Sequence, residues 1–449
     1  MTFLFRTDAS TAIGTGHVMR CLALAQAMQD SGADAVFLSS TLTPALEKRL
    51  QTEHMRTMTL TAPPYGTEDA KETAEQAKKL GAAWVAMDGY SFKPSYADDL
   101  KSHGLHVLQF DDGIPLLRRE YRQWQSWTRE IRPKARHILI TLGGSDPKNV
   151  TSKILEAVNA ISSSLKISVV VGGSNSHAAE IEKTAKASPH EVTIFKNVSD
   201  MASLIAEADI GITNGGTTAY ELAFLQLPMI IAVLAENQRP VAAALTKAGC
   251  AEEWTGTASL EKLLSDAKKR ALMAHTGRVC VDGDGTDRIM MRLLDHRLRL
   301  RPVRDEDSEL ILRLANDPET RSASFSTAPI TPEEHRAWFT KKLQEKTTTF
   351  LLAIDAEDQP VGSIRFEEKP EVTLSFSLAP EHRGKGLGTE LVRLGTEKYL
   401  RAHPKGIVHA WVKSANDGSA SIFRKIGFQE LSPEGDVLHF SVDSSRIPS

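Results

Sequence analysis

Cysteine is scarce in this chain: Cys21, Cys250 and Cys280 stand far apart and in no metal-ligand spacing. That excludes a disulfide-framed scaffold and a cysteine-based zinc module, and it reads as a few reduced thiols. Long apolar runs are missing too, since "LPMIIAVLA" falls well short of the roughly 18 residues a membrane span needs. Neither sign of charge dominates, the formal net charge being -3. Nothing electrostatic therefore calls for nucleic acid or an anionic membrane as partner. The opening "MTFLFRTDAS" lacks a basic region followed by an apolar stretch, so no secretory signal is expected. With no long repeat or low-complexity segment either, the expectation is a cytoplasmic globular protein of unspecified oligomeric state.

What is present is length and rhythm. At 449 residues the chain exceeds one ordinary core and calls for two or three domains. In the first third, "FLFR", "DAVFLSS", "RTMTL", "AWVAMDGY" and "HVLQFDD" read as strands separated by helical stretches, the pattern of a parallel sheet. Bulky polar sequence at 114–134 interrupts it and reads as an interdomain passage. The rhythm restarts with "HILITLGG", "ISVVVGG", "VTIFKNV", "DIGITNGG" and "PMIIAVL". Beyond residue 297 it gives way to an antiparallel meander, "TFLLAIDAEDQPVGSIRFEEKPEVTLSFSLAP", with turns at "AEDQ" and "EEKPE". The fold class expected is α/β: two doubly wound Rossmann-like sheets (1–132 and 133–296) facing each other across a cleft, then an α+β domain (297–449).

Chemistry gathers at three strand-to-helix turns of the first two sheets. "RTDASTAIGTGHVMRCLALA" places Gly14, Gly16 and His17 where the first strand becomes a helix, with Val18, Cys21, Leu22, Ala25 and Met28 as its packing stripe. Free amides and the positive end of the helix dipole favour an anion there, beside a neutral imidazole able to accept a proton. Taken alone, His17 reads equally as a polar first-turn residue. Gly143 and Gly144 in "ITLGGSDPKN" mark a second turn, and Gly215, Gly216, Thr217 and Thr218 in "ITNGGTTAYELAF" a third. Glu221, one helical turn further on, can accept hydrogen bonds from the two hydroxyls of a ribose.

In the last domain "LSFSLAPEHRGKGLGTELVRLG" is the most specific local signal. A β-run ends at Ala379, Arg383, Gly384, Gly386 and Gly388 follow in R-G-x-G-x-G spacing, and a helix is expected to open at Thr389. Several amides then converge at a helix N-terminus, which suits a pyrophosphate.

These stretches carry two resemblances. "ADIGITNGGTTAYELAFLQLPMIIAVLAENQ" is similar to the nucleotide-binding half of GT-B glycosyltransferases. Together with "FRTDASTAIGTGHVMRCLALA", "MDGY", Asp111–Asp112, "LGGSDP", "AENQ" and "DGDGTDRI", it resembles the UDP-2,4-diacetamido-2,4,6-trideoxy-β-L-altropyranose hydrolases of pseudaminic acid synthesis over residues 1–295. The resemblance implies a catalytic His17, and Gly215 to Thr218, Glu221, Asn237 and Gln238 serving UDP. It implies that Asp8, Asp88 and Tyr90 contact sugar or position His17. Residues 297–440 resemble the GNAT N-acetyltransferases. That implies acetyl-CoA as acyl donor, held by the backbone of Leu378 and Ala379, by the Arg383–Thr389 turn and by Asn416. Phe423 departs from the pattern, standing where many relatives have a tyrosine that acts as general acid. His335, His382 and His409 read as surface or packing histidines, and no metal is expected. The substrates implied are a UDP-linked amino sugar and acetyl-CoA. The alternatives are a GT-B glycosyltransferase fused to an acetyltransferase, or a ligand sensor without chemistry.

Overall fold

The computed structural model describes residues 1–10, 13–110, 114–173, 175–196, 198 and 200–446. Asp111 and Asp112, singled out in the sequence, lie outside them. The chain forms two compact units, Met1–Thr286 and Asp287–Ser449. Among the described residues no helix is long and apolar enough to cross a membrane.

The first unit holds two parallel sheets. Strands β1 (Thr2–Thr7), β2 (Asp34–Ser39), β3 (Arg56–Thr59), β4 (Ala82–Asp88) and β5 (His106–Gln109) run in the order β3-β2-β1-β4-β5. Strands β6 (His137–Thr141), β7 (Lys166–Val171), β8 (Glu191–Lys196), β9 (Ile210–Thr213), β10 (Met229–Ile231) and β11 (Ala251–Glu253) follow in the order β11-β10-β9-β6-β7-β8. In each sheet the order reverses once, between β1 and β4 and between β9 and β6. Doubly wound sheets bind ligands at such reversals, outside the carboxyl ends of the strands. The glycine turns after β1, β6 and β9 all stand there.

The helix Gly16–Asp30 is covered more completely than its apolar stripe predicts, with Ala23, Leu24, Gln26 and Ala27 buried as well. The second cover is the 114–134 passage, which is thus more than a connection. The backbone N–H of Arg119 donates to Gln26 Oε1 at 2.8 Å, and Arg119 also ion-pairs with Asp30 at 2.9 Å. The "DGDG" glycines explain themselves against the same passage. A Cβ on Gly285 would stand 2.0 Å from the Pro115 carbonyl oxygen, and one on Gly283 would be 2.6 Å from Gln125 Oε1.

The second unit is one mixed sheet in the order β12-β13-β14-β15-β16-β18-β17. Its strands are β12 (Arg299–Pro302), β13 (Thr348–Ile354), β14 (Pro360–Glu368), β15 (Val372–Leu378), β16 (Ile407–Lys413), β17 (Gln429–Glu434) and β18 (Val437–Asp443). The expected meander is β13-β14-β15, antiparallel throughout. Strands β15 and β16 are parallel and pair only at Val372↔Val408 and Thr373↔His409. Past those two positions they part, and the wedge between them is the opening into this unit. One face of the sheet buries Leu351, Ile364, Phe366, Leu391, Val408, Phe423 and Phe440 in a common core.

Candidate active sites

At the reversal of the first sheet, His17 is the second residue of its helix and Asp88 the last of β4, the strand beside β1. Their side chains meet, His17 Nδ1 lying 2.8 Å from Asp88 Oδ1. Arg20, one turn along the helix, grips the same carboxylate with Nε at 2.7 Å and Nη2 at 2.6 Å. All three are buried. An ionised carboxylate only accepts, so in its neutral form the imidazole carries its proton on Nδ1 and keeps the lone pair on Nε2. The exposed Tyr90 ring stands edge-on to His17, its centroid 4.6 Å away. Thr15, at the N-cap, gives the helix no side-chain cap, so its first amides stay open to an anion. Gly14 has φ +85°, the left-handed region that makes glycine the residue of choice.

Asp8 makes a separate set of contacts. Its carboxylate takes Arg6 Nη1 at 2.7 Å, Ser40 N at 2.6 Å and Thr41 N at 3.2 Å, which ties the end of β1 to the loop after β2. Arg6 is in turn held by the buried Asp69.

At the second reversal the two glycine turns differ. After β6, Gly143 (φ +89°) lies against Asn214, and a Cβ on Gly144 would stand 3.0 Å from Thr15 Oγ1. The turns after β1 and β6 therefore touch, and these glycines permit close approach. The helix they precede, Val150–Val158, has a filled N-terminus: Asp146 accepts from Val150 N at 2.9 Å and from Thr151 N at 2.8 Å. A carboxylate of the chain itself occupies this helix N-terminus. After β9 the arrangement is open, because the helix Thr217–Phe224 has Gly216 as N-cap and no side-chain cap. Gly215 leaves room for the following loop, since a Cβ there would approach the Gln238 carbonyl oxygen to 2.4 Å. Gln238 Oε1 accepts from Leu234 N at 2.8 Å, while Asn237 is exposed.

Glu221 has a partner that sequence reasoning missed. Arg118, from the 114–134 passage, lies 2.8 Å from Glu221 Oε1 and also holds Glu120. Burial pushes the Glu221 carboxyl above its usual range, with Arg118 and the Tyr121 hydroxyl acting in the opposite sense. No local pattern announces this contact; the only hint was the density of arginine and aromatic residues in the passage.

In the second unit a cleft of about 690 Å³ follows the wedge between β15 and β16. Leu378, Arg383, Gly384, Gly386, Gly388, Thr389, Asn416 and Phe423 all line it. Ala379 lies buried behind them. Two boundaries differ from the sequence reading: β15 ends at Leu378, and the helix opens at Leu387 rather than Thr389. The turn tightens earlier because Gly384 (φ +72°) and Gly386 (φ +76°) are both left-handed, and Gly386 is the N-cap. That helix, Leu387–Ala402, also lacks a side-chain cap. Arg383 is gripped by Asp317, by Glu319 at 2.9 Å and by the Leu378 carbonyl at 3.1 Å. Arg297, unnoticed in the sequence, reaches the turn instead, donating from Nη1 to the Lys385 carbonyl at 2.9 Å.

Asn416 Oδ1 caps the helix Asp417–Lys425 through Ser419 N. Phe423 packs among Phe376, Phe428 and Phe440, with centroids 5.0–5.9 Å apart. His335 is a packing residue, buried, stacked on Phe339 and bonded to the Ser308 carbonyl at 2.8 Å. His382 is half-buried beside the turn.

Comparison with known proteins agrees with this division. Residues 297–429 match the acetyltransferase (GNAT) domain, and residues 137–276 match the glycosyltransferase family 28 C-terminal domain. An uncharacterized protein of Methanocaldococcus jannaschii is 22% identical, the match covering 94% of this chain and 96% of that one. The UDP-2,4-diacetamido-2,4,6-trideoxy-beta-L-altropyranose hydrolase of Campylobacter jejuni is 23% identical, over 57% of this chain and 99% of its own length. Among solved structures, Acinetobacter baumannii MurG covers 66% of this chain and 99% of its own at 17% identity, with a TM-score of 0.47. The chain thus joins a homologue of a UDP-sugar hydrolase to a GNAT acetyltransferase domain.

Proposed function

We propose that this two-domain sugar-nucleotide enzyme performs two consecutive steps. The second unit transfers acetyl from acetyl-CoA to the 4-amino group of UDP-4-amino-4,6-dideoxy-N-acetyl-β-L-altrosamine. The first unit then hydrolyses the product, UDP-2,4-diacetamido-2,4,6-trideoxy-β-L-altropyranose, to free sugar and UDP. The observation that carries this reading is the His17–Asp88 pair beside an uncapped helix N-terminus, in a segment homologous to that hydrolase.

Each step needs little beyond what the residues offer. Water attacks the anomeric carbon while His17 Nε2 takes its proton, and the C–O bond to UDP breaks with inversion. UDP leaves as a stable anion, so donors around the diphosphate matter more than a strong acid. The open amides of the helices at Gly16 and Thr217 supply those donors. Asp88 and Arg20 position the imidazole, Tyr90 bounds the sugar side, and Glu221, shared with Arg118, meets the ribose. In the acetyl transfer a neutral amine attacks the thioester, and the turn at 383–389 holds the pyrophosphate of coenzyme A. The match to a glycosyltransferase domain favours a second reading, transfer of the sugar to an acceptor. One experiment separates them: acetyl-CoA, the UDP-4-amino sugar and the full chain, followed by NMR with no acceptor added. Free sugar and UDP support hydrolysis, whereas an N-acetylated UDP-sugar that persists excludes it.

Two variants test the acetyl-transfer cleft. Arg383→Ala releases the helix Pro318–Ala323, which lines the cleft, and unsettles the turn, at a cost of about 1.5 to 3 kcal/mol for a charged hydrogen bond. The KM for acetyl-CoA is expected to rise about tenfold, while a supplied 4-acetamido UDP-sugar is hydrolysed at the parent rate. Equal loss of both activities contradicts this. Phe423→Tyr places a hydroxyl among three phenylalanine rings, so stability falls by roughly 1 to 3 kcal/mol. Positioning limits the reaction, and coenzyme A thiolate leaves without help. Acetylation measured against pH is therefore expected to stay within about tenfold of the parent. A hundredfold gain would mean that acid catalysis is limiting.

A further inference from the structure

His409 belongs to β16 and His439 to β18, and the antiparallel register pairs Trp411 with His439 and His409 with Ser441. The two histidines are thus diagonal neighbours on one face of the sheet. His409 Nδ1 lies 2.9 Å from His439 Nε2. Glu371, the residue before β15, brings Oε2 to 3.9 Å from His409 Nδ1. The three donor atoms lie within 4.8 Å of one another, and no other such trio occurs among the described residues.

We propose that Glu371, His409 and His439 form a binding site for a divalent transition-metal ion of the zinc class. Two imidazole nitrogens and one carboxylate oxygen are a donor set zinc accepts, with water in the fourth position. Across a tetrahedral ion with bonds near 2.0–2.1 Å, ligand atoms stand about 3.3 Å apart. The nitrogens have to open by about 0.4 Å, and the carboxylate has to close by about 0.6 Å on His409 and by at most about 1.5 Å on His439. Glu371 is more than half exposed, so an ion can enter from solvent and the carboxylate can move without disturbing the core. His439 is already oriented, its ring stacked on Trp411 with centroids 3.7 Å apart.

The place gives the ion a structural use. The site joins the strands on both sides of the wedge, beside the two ladder pairs that close β15 on β16. Trp411, under His439, lines the cleft. A bound ion therefore braces the apex of the opening and fixes one wall.

The test uses the full chain, stripped with a chelator and dialysed, and zinc or cobalt chloride as the only additions. One zinc per chain is expected to bind with Kd of roughly micromolar or tighter, and cobalt to give visible bands of tetrahedral nitrogen–oxygen ligation without a thiolate charge-transfer band. Saturating zinc should raise the Tm of the second unit by several degrees. Glu371→Gln should weaken binding about tenfold, and His409→Asn more. Glu371→Gln changes an exposed side chain, so it keeps the test interpretable where the histidine variant fails to fold. Absence of stoichiometric binding, a cysteine-type cobalt spectrum, or affinity unchanged in Glu371→Gln overturns the proposal.

Discussion

Replacing His17 with Asn lowers UDP release from the diacetamido UDP-sugar by roughly 10² or more, the loss that follows removal of a positioned general base. Acetyl transfer persists, because the cleft that performs it belongs to the other unit. Asparagine suits the test because it keeps a polar side chain in the first turn and can still donate to Asp88. It has no nitrogen lone pair to take a proton from water. His17 is 7% exposed, so binding changes have to be separated from chemistry by measuring KM and kcat independently. The expected pattern is a fall in kcat with KM for the UDP-sugar little altered. Near-parent hydrolysis would make His17 a packing residue of the helix and nothing more.

The parts of this protein legible in its sequence share one physical property: they are local. Alternation of β-rich and helical stretches announces two parallel sheets, and glycines at strand ends announce turns, because both follow from backbone preferences over a few residues. The site is legible only so far. Gly14, Gly16 and His17 are neighbours in sequence, but Asp88 joins them only because β4 lies beside β1. Arg20 lies outside the apolar stripe of its helix, and its role shows only once the carboxylate is placed. After Gly143–Gly144, Asp146, two residues on, caps the helix with its own carboxylate. At Arg383 the charge is taken up by Asp317 and Glu319, more than sixty positions away. In the first case the capping partner is local, and in the second a short-range motif supplies the backbone shape while a long-range contact takes up the charge. The pair Arg118–Glu221 and the trio Glu371, His409 and His439 are wholly of the second kind and leave no pattern to read.

Asp88→Asn separates positioning from bulk more sharply than any other change at this site. The parent carboxylate accepts from three donors: His17 Nδ1 and Arg20 Nη2 at Oδ1, and Arg20 Nε at Oδ2. An amide offers one oxygen and one NH₂ group. With its oxygen toward His17, the NH₂ opposes the N–H of Arg20 Nε, donor against donor. Turned over, it presents the NH₂ to His17 Nδ1, which then becomes the acceptor and carries its proton on Nε2. In that tautomer the nitrogen facing water has no lone pair, and the base is lost although every ring atom is in place. Arg20 meets the NH₂ in either orientation, through Nε in the first and Nη2 in the second, and in both the negative charge that stabilises the imidazolium formed on proton uptake is gone. Hydrolysis is therefore expected to fall by roughly 10² to 10⁴, as when the carboxylate that orients a catalytic imidazole is neutralised. KM should change far less than kcat. Imidazole nitrogen shifts from a ¹⁵N-histidine-labelled sample report the tautomer directly and should move from Nδ1–H to Nε2–H. A merely structural role for Asp88 would leave those shifts unchanged. The unfavourable contact at Arg20 costs about 1 to 3 kcal/mol, so a lower Tm accompanies the loss, and rates are compared well below it. Activity within threefold of the parent, in a folded Asp88→Asn protein with the Nδ1–H tautomer, would remove the dyad from the mechanism.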